Sequence, residues 1–436
     1  MKHLIIPCAL ALGAQLLANP VPAQSAVRTK PTAVSANPVT RADLAAAYLR
    51  LDRAYAAATL SDSARSAINR MFDRSTLSFF AGQFARAVAT IDSTTVALTG
   101  TPIVSSAPPV RLVNGKAPSV ARAAFQARLS RIDSTGALGQ AFVSARARMR
   151  LLVDTPSVER SAEFNGDPAR IARDLSREIG ELERGRNPYV GQAGDQWRVF
   201  RGGNGALIPF RIVVPPAAAT SRGAVPVIIA LHGAGGDENM FIEAYGQGIT
   251  VSLAMGAGAI VVSPATTAFS QSPASVDSLL AVLRSEYRVD NSRLYLVGHS
   301  MGAGAAAQMV QQHPMVFAAA ACLAGGAAVT ATNAPPMLFI GAELDPLIAP
   351  RVVKAAAAAS PTLARRCKRA LREATSAISD MAKAPLMKMS TNSIATSIMM
   401  PAMTMKLILL ECDGANCASP GATHGGRSLI PIGCWR

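Results

Sequence analysis

Gly298-His299-Ser300-Met301-Gly302 follows an apolar run, Leu294 to Val297, and precedes a small-residue run, Ala303 to Val310. That order predicts a strand, a sharp turn and a helix, with a serine at the tip of the turn. A hydroxyl carried there is exposed as a nucleophile, and glycines two positions either side let strand and helix close on each other. The backbone N–H of Met301 then points toward the oxygen of a carbonyl under attack. Upstream, the continuous apolar run Val225 to Leu231 predicts a buried parallel strand. It ends in His232-Gly233-Ala234-Gly235-Gly236-Asp237-Glu238-Asn239. Gly233 and Gly235 free this loop to aim N–H groups at a developing oxyanion, which needs two donors. Ala234 and Met301 are the candidates, and His232 is read as a hydrogen-bonding support of the loop, not a proton carrier. Downstream, the strand Pro336 to Ile340 leads into Gly341-Ala342-Glu343-Leu344-Asp345-Pro346. An acid on such a loop can orient a histidine and stabilise its cation. Asp345 is favoured over Glu343 because Pro346 fixes the turn behind it and its shorter side chain suits a rigid loop.

An apolar strand with HGxGG, then GHSMG, then GxxxDP resembles the α/β-hydrolase fold. The resemblance is to its secreted esterases and their depolymerase-like and dienelactone-hydrolase-like relatives, over roughly residues 195–350. It implies an α/β class: a mostly parallel sheet with flanking helices, here preceded by an all-α N-terminal region. The expected elements are an antiparallel pair, Asp195 to Arg201 and Leu207 to Val214, then strands at Val225, Ala259 to Ser263, Leu294, Phe317 to Leu323 and Pro336. A helix over Val276 to Tyr287 leads into the serine strand. Crossover helices put the carboxyl ends of parallel strands on one edge, so Ser300, Ala234 and Asp345 can converge. The resemblance also implies a histidine completing the triad, and neither cofactor nor metal. Of five histidines, His3 lies in the leader, His299 is the variable position of the serine motif, and His313 sits at a helix end beside Pro314. His424, in Gly421-Ala422-Thr423-His424-Gly425-Gly426, remains, in the order Ser…Asp…His. A strand over Lys406 to Glu411 precedes it.

Around these motifs the chain divides into residues 1–23, 24–190 and 191–436. Lys2 and His3, the apolar Leu4 to Ala18 and the cleavage-type Val21-Pro22-Ala23 read as a secretory signal peptide, predicting a periplasmic or secreted protein. Residues 24–190 read as a helical domain. Leu44, Tyr48, Leu51 and Tyr55 recur at helical spacing, as do Phe79, Phe80, Phe84 and Val88, and Leu175, Ile179 and Leu182; Pro102 to Pro118 interrupts them. These stripes are read as core, and the domain as one that could dock on the sheet, cap the site or mediate self-association. Residues 360–436 are atypical, with methionines crowded between Met381 and Met405 and four of the six cysteines. They read either as an insertion between acid and histidine or as a stretch outside the native frame. Cys322 reads as a buried small hydrophobe, and Cys412, Cys417 and Cys434 as candidates for pairing. Cys412 and Cys417 lack the further ligands of a zinc site.

The net charge of +16 comes with no basic helix or aromatic–basic platform for nucleic acid. Gly202-Gly203-Asn204-Gly205 reads as a hairpin turn, and Ala254 to Gly258 precedes a strand, so neither is a phosphate loop. Three functions are compatible with the pattern. The first is a serine hydrolase of small-molecule or polymeric carboxylic esters, acting through an acyl-enzyme. The second is a peptidase of the prolyl-oligopeptidase type, which the helical N-terminal half disfavours. The third is a catalytically silent binding protein on the same fold. Loops Asn239 to Ile249 and Thr266 to Ala274 are the expected pocket walls.

Overall fold

The structure, a computed structural model, describes residues 39–103, 112–154, 167–341, 345, 347–360 and 408–409. The leader, most of the atypical tail and His424 lie outside them. Eight strands form one sheet: β1 (Gly194–Arg201), β2 (Leu207–Val214), β3 (Val225–Leu231), β4 (Ile260–Pro264), β5 (Val289–His299), β6 (Ala319–Leu323), β7 (Met337–Gly341) and β8 (Ile408–Leu409). Their order is β1-β2-β4-β3-β5-β6-β7-β8. β4, β3, β5, β6 and β7 run parallel, while β1, β2 and β8 pair antiparallel at the two sides. The antiparallel pair and the strand leading to Ser300 expected from sequence are thus present, and Gly202 to Gly205 forms the β1–β2 turn. Central strands are apolar on both faces because helices cover both. Val227, Ile229, Leu231, Ile260, Val262, Leu294 and Leu296 are buried.

Among the described residues six α-helices precede the sheet: α1 (Arg41–Ala57), α2 (Asp62–Phe80), α3 (Phe84–Thr99), α4 (Pro118–Leu129), α5 (Gly139–Met149) and α6 (Pro168–Glu183). The longer helices between or after strands are α7 (Ile249–Gly256), α8 (Ala274–Glu286), α9 (Met301–Gln312) and α10 (Pro350–Ala358). α1 starts with a reciprocal capping box between Thr40 and Asp43, and α6 with Asp167 accepting from Ala169 and Arg170 N–H ahead of Pro168. α4 to α6 pack against β1, whose Trp197 and Val199 join Leu129, Leu152, Ile171, Leu175, Ile179 and Leu182 in one buried cluster. α1 to α3 share a smaller core of Ala47, Leu51, Phe72 and Ile91.

The aromatic run over Phe79 to Val88 departs from its expected form. The helix ends at Phe80, Gly82 takes φ 71° and donates to Phe79 O, and a new helix starts at Phe84. A left-handed glycine closes a helix in this way at no steric cost. Phe79 is half-buried and Phe80 is 50% exposed, so these two rings are not core, while Val88 packs on the small core of these helices. The two rings face a cavity.

Candidate active site

β5 ends at His299 and α9 begins at Met301, which leaves Ser300 alone on the turn with φ 54° and ψ −117°. A side chain with positive φ is strained, and the surroundings must hold it there. Ser300 N–H donates to Leu323 O at 2.8 Å, and Ser300 O accepts from Ala303 and Gly304 N–H. A Cβ on Gly298 would collide with Gly302 O, and one on Gly302 with Leu231 O. The glycines of the pentapeptide are therefore what lets α9 lie against β5 and β3. Met301 N–H opens α9, one of the helix's first donors, for which the helix holds no acceptor.

The loop after β3 comes up to this turn. A Cβ on Gly233 would lie 2.9 Å from His299 Nδ1 and 3.3 Å from Ser300 Cβ. Gly233 N–H donates to the Tyr245 hydroxyl at 3.2 Å, and that hydroxyl lies 3.0 Å from His299 Nδ1. With the hydroxyl hydrogen directed at His299 Nδ1, each group in this chain is satisfied. Tyr245 thereby ties the loop to the serine turn, a role that sequence reading missed. Its only mark there is a lone aromatic in Tyr245-Gly246-Gln247-Gly248, inside a stretch expected to be a pocket wall. The same loop is anchored beyond Gly236 by buried polar contacts. Trp197 Nε1 donates to Glu238 Oε1 at 2.5 Å, and Arg211 Nη1 donates to Asn239 Oδ1 at 3.2 Å and also bonds Glu243.

His232 is buried, with Nδ1 2.8 Å from Gly233 O and Nε2 accepting from Thr266 N–H at 2.9 Å. Those partners define a neutral ring protonated on Nδ1. Burial holds its pKa below the usual histidine value. Burial, with His232 nearby, pushes His299 down to about 4. His313 caps the far end of α9 and bonds Pro273 O.

Asp345, on the loop after β7, accepts from Leu347 N–H at 2.8 Å and Ile348 N–H at 2.9 Å, both through Oδ1. Ser300, Ala234, Gly233, Gly235, His299, Tyr245 and Asp345 line one cavity of about 190 Å³. The structure thus brings the predicted serine, acid and oxyanion loop together at the carboxyl edge of the sheet. The other wall comes from α1 to α3, including Asp73, which sequence reading did not single out. Burial raises the Asp73 carboxyl pKa, and Asp345 raises it further. Buried Cys322 on β6 is a free thiol, pushed up to about 12 by burial. Among the described residues no helix is long and apolar enough to cross a membrane.

A mostly parallel sheet with a strained serine between strand and helix, facing a glycine loop, defines an α/β-hydrolase fold. Residues 208–358 match the family described as Esterase PHB depolymerase, the same branch that the motifs resemble. None of the curated proteins matches the chain. Among solved structures, a thermostable esterase is 22% identical, over 39% of this chain and 52% of that one, with a TM-score of 0.33. The S-formylglutathione hydrolase from Agrobacterium tumefaciens is 19% identical, over 30% of this chain and 58% of that one, at 0.24. An acetyl xylan esterase from Aspergillus awamori is 22% identical, over 31% of this chain and 53% of that one, at 0.27. The chain spans between half and three-fifths of the length of these structures.

Proposed function

We propose that this protein is an exported serine hydrolase that cleaves carboxylic esters through an acyl-enzyme. The observation that carries the reading is Ser300, held at positive φ on the strand–helix turn, in one cavity with Ala234 and Asp345. Ser300 Oγ attacks the ester carbonyl carbon while His424 takes its proton. The carbonyl oxygen becomes an oxyanion held by the N–H groups of Ala234 and Met301. Collapse expels the alcohol, which receives the proton from His424, and water repeats the sequence to release the acid. Asp345 Oδ1 is held by two backbone N–H groups, which leaves Oδ2 to orient the histidine.

The base role falls to His424 because the described histidines are otherwise engaged. His232 uses both ring nitrogens, His299 is bonded to Tyr245 and hard to protonate, and His313 lies at the helix end away from the cavity. Export rests on the signal-peptide character of residues 1–23. The test is p-nitrophenyl acetate hydrolysis by the purified protein beside Ser300→Ala and His424→Ala. Each substitution is expected to lower kcat by on the order of 10⁴ or more, and the double variant by little further, because triad members act as a unit. Turnover that survives Ser300→Ala would sink the mechanism.

A further inference from the structure

Helices α1 to α3 lie outside the segment that matches the esterase family, yet they supply about half of the cavity wall at Ser300. Three ties hold them against the site. Arg41, on the first turn of α1, bonds Gly235 O, and its guanidinium lies 5.8 Å from the Phe79 ring centre and 5.5 Å from that of Phe84. The Phe79 ring occupies the space a Cβ on Gly235 would need. Farther along α1, Asp52 accepts from Gln247 Nε2 at 2.7 Å, in the loop that also carries Tyr245. The roof is therefore fixed on the oxyanion loop by a hydrogen bond and an aromatic contact, and on the Tyr245 segment by a second polar bridge.

The roof's chemistry is uneven along α2. Phe79 abuts Gly235 on the oxyanion side, whereas Asp73 feels the charge of Asp345 on the acid side. Leu44, Tyr48, Phe72, Phe79, Phe80 and Ile91 make the roof's lining apolar. The leaving alcohol belongs on the side of the acid and its histidine, since the histidine must return a proton to it. The apolar end, beside the loop that holds the carbonyl oxygen, is left for the acyl half. The whole cavity, about 190 Å³, is little larger than the roughly 150 Å³ of an engineered cavity that admits benzene, which limits the acyl group to about one ring. The acidic side chains on the lining disfavour an anionic acyl group, and the Arg41 guanidinium is already engaged by Gly235 O and the two rings.

We propose that α1 to α3 form the acyl pocket of this enzyme, and that it takes an uncharged apolar acyl group about the size of one aromatic ring. The proposal rests on the esterase reading above. The test compares kcat/KM for p-nitrophenyl benzoate and p-nitrophenyl acetate in the full chain and in two variants. Ala45→Phe places a ring into the pocket from α1, and Phe80→Ala opens it from α2 at a half-exposed position. The benzoate-to-acetate ratio is expected to fall roughly tenfold or more in Ala45→Phe, the scale set by pocket fit. In Phe80→Ala the preference should move toward acyl groups larger than benzoyl. Ratios that stay put in both folded variants overturn the proposal. So does a shift that follows the alcohol in benzyl and ethyl acetates and not the acyl group. Should wild type turn over no ester, the esterase reading itself fails, and the pocket is then read by benzyl alcohol binding to Ser300→Ala. Binding lost on adding Ala45→Phe supports the pocket, and no binding at all overturns it.

Discussion

The two halves of the N-terminal helical region carry similar sequence patterns and are built for different tasks. α4 to α6 bury a broad apolar face against β1, with Ile171, Leu175, Ile179 and Leu182 spaced along one stripe of α6. At its centre Arg148, 1% exposed, bonds Glu178, Asp174 and the Trp197 carbonyl. Nearby, Arg198 makes a two-pronged contact with Glu286 and stacks 3.7 Å from the Tyr189 ring centre. Buried charges of this kind tolerate only one docking geometry, because a displaced partner leaves an ion without solvent or counter-charge. α1 to α3 have a core of a few residues, and much of their apolar surface faces a cavity. One half is a buttress for the sheet edge and the other a roof over Ser300. An apolar helix face is therefore not by itself a statement about stability.

Substitutions should separate the two halves. The largest effect is expected in the buttress: Glu178→Ala removes the fully buried counter-charge of Arg148 and should cost about 3–5 kcal/mol in denaturant unfolding. The acyl preference of the folded fraction should stay that of wild type. If it moved, the division between buttress and roof would not hold. In the roof, Leu51→Ala removes a fully buried side chain from a small core and should cost about 2–3 kcal/mol, toward the low end for such changes. The roof carries the acyl pocket, so this loss should come with an altered benzoate-to-acetate ratio. The smallest effect has the opposite sign. Because burial and Asp345 raise the Asp73 carboxyl pKa, the folded state holds that proton more tightly than the unfolded chain does. Stability is therefore lost as pH rises from the ordinary carboxylate value through the raised one. Asp73→Asn should be modestly more stable than wild type at pH 7, with the advantage gone below the carboxylate range. Thermal midpoints measured across pH check it, and an advantage that persisted in acid would point to a cause other than charge.

The edge that carries Ser300 was legible because its determinants are local. Leu294 to Val297 followed by Gly298-His299-Ser300-Met301-Gly302 prescribes a strand, a turn that admits no side chain at two positions, and a helix. The loop from His232 to Asn239 and the turn at Asp345 follow apolar strands in the same way, and parallel strands joined by helices bring their ends to one edge. Phe79 and Phe80, expected in a core, line a cavity for a physical reason. Helical spacing says that a face is apolar, but not whether it meets a core, a cavity or solvent. The break at Gly82 and the approach of Gly235 decide that, and Gly235 is far away in the chain. Tyr245 was missed for a similar reason, since its hydroxyl acquires meaning only between Gly233 N–H and His299 Nδ1.

The sequence by itself determined the sheet, the serine turn and the loops beside it, because backbone sterics and strand–helix alternation act over neighbouring residues. Only the tertiary structure decided that α1 to α3 roof the site while α4 to α6 brace the sheet, because an apolar stripe takes its role from whatever the fold sets against it.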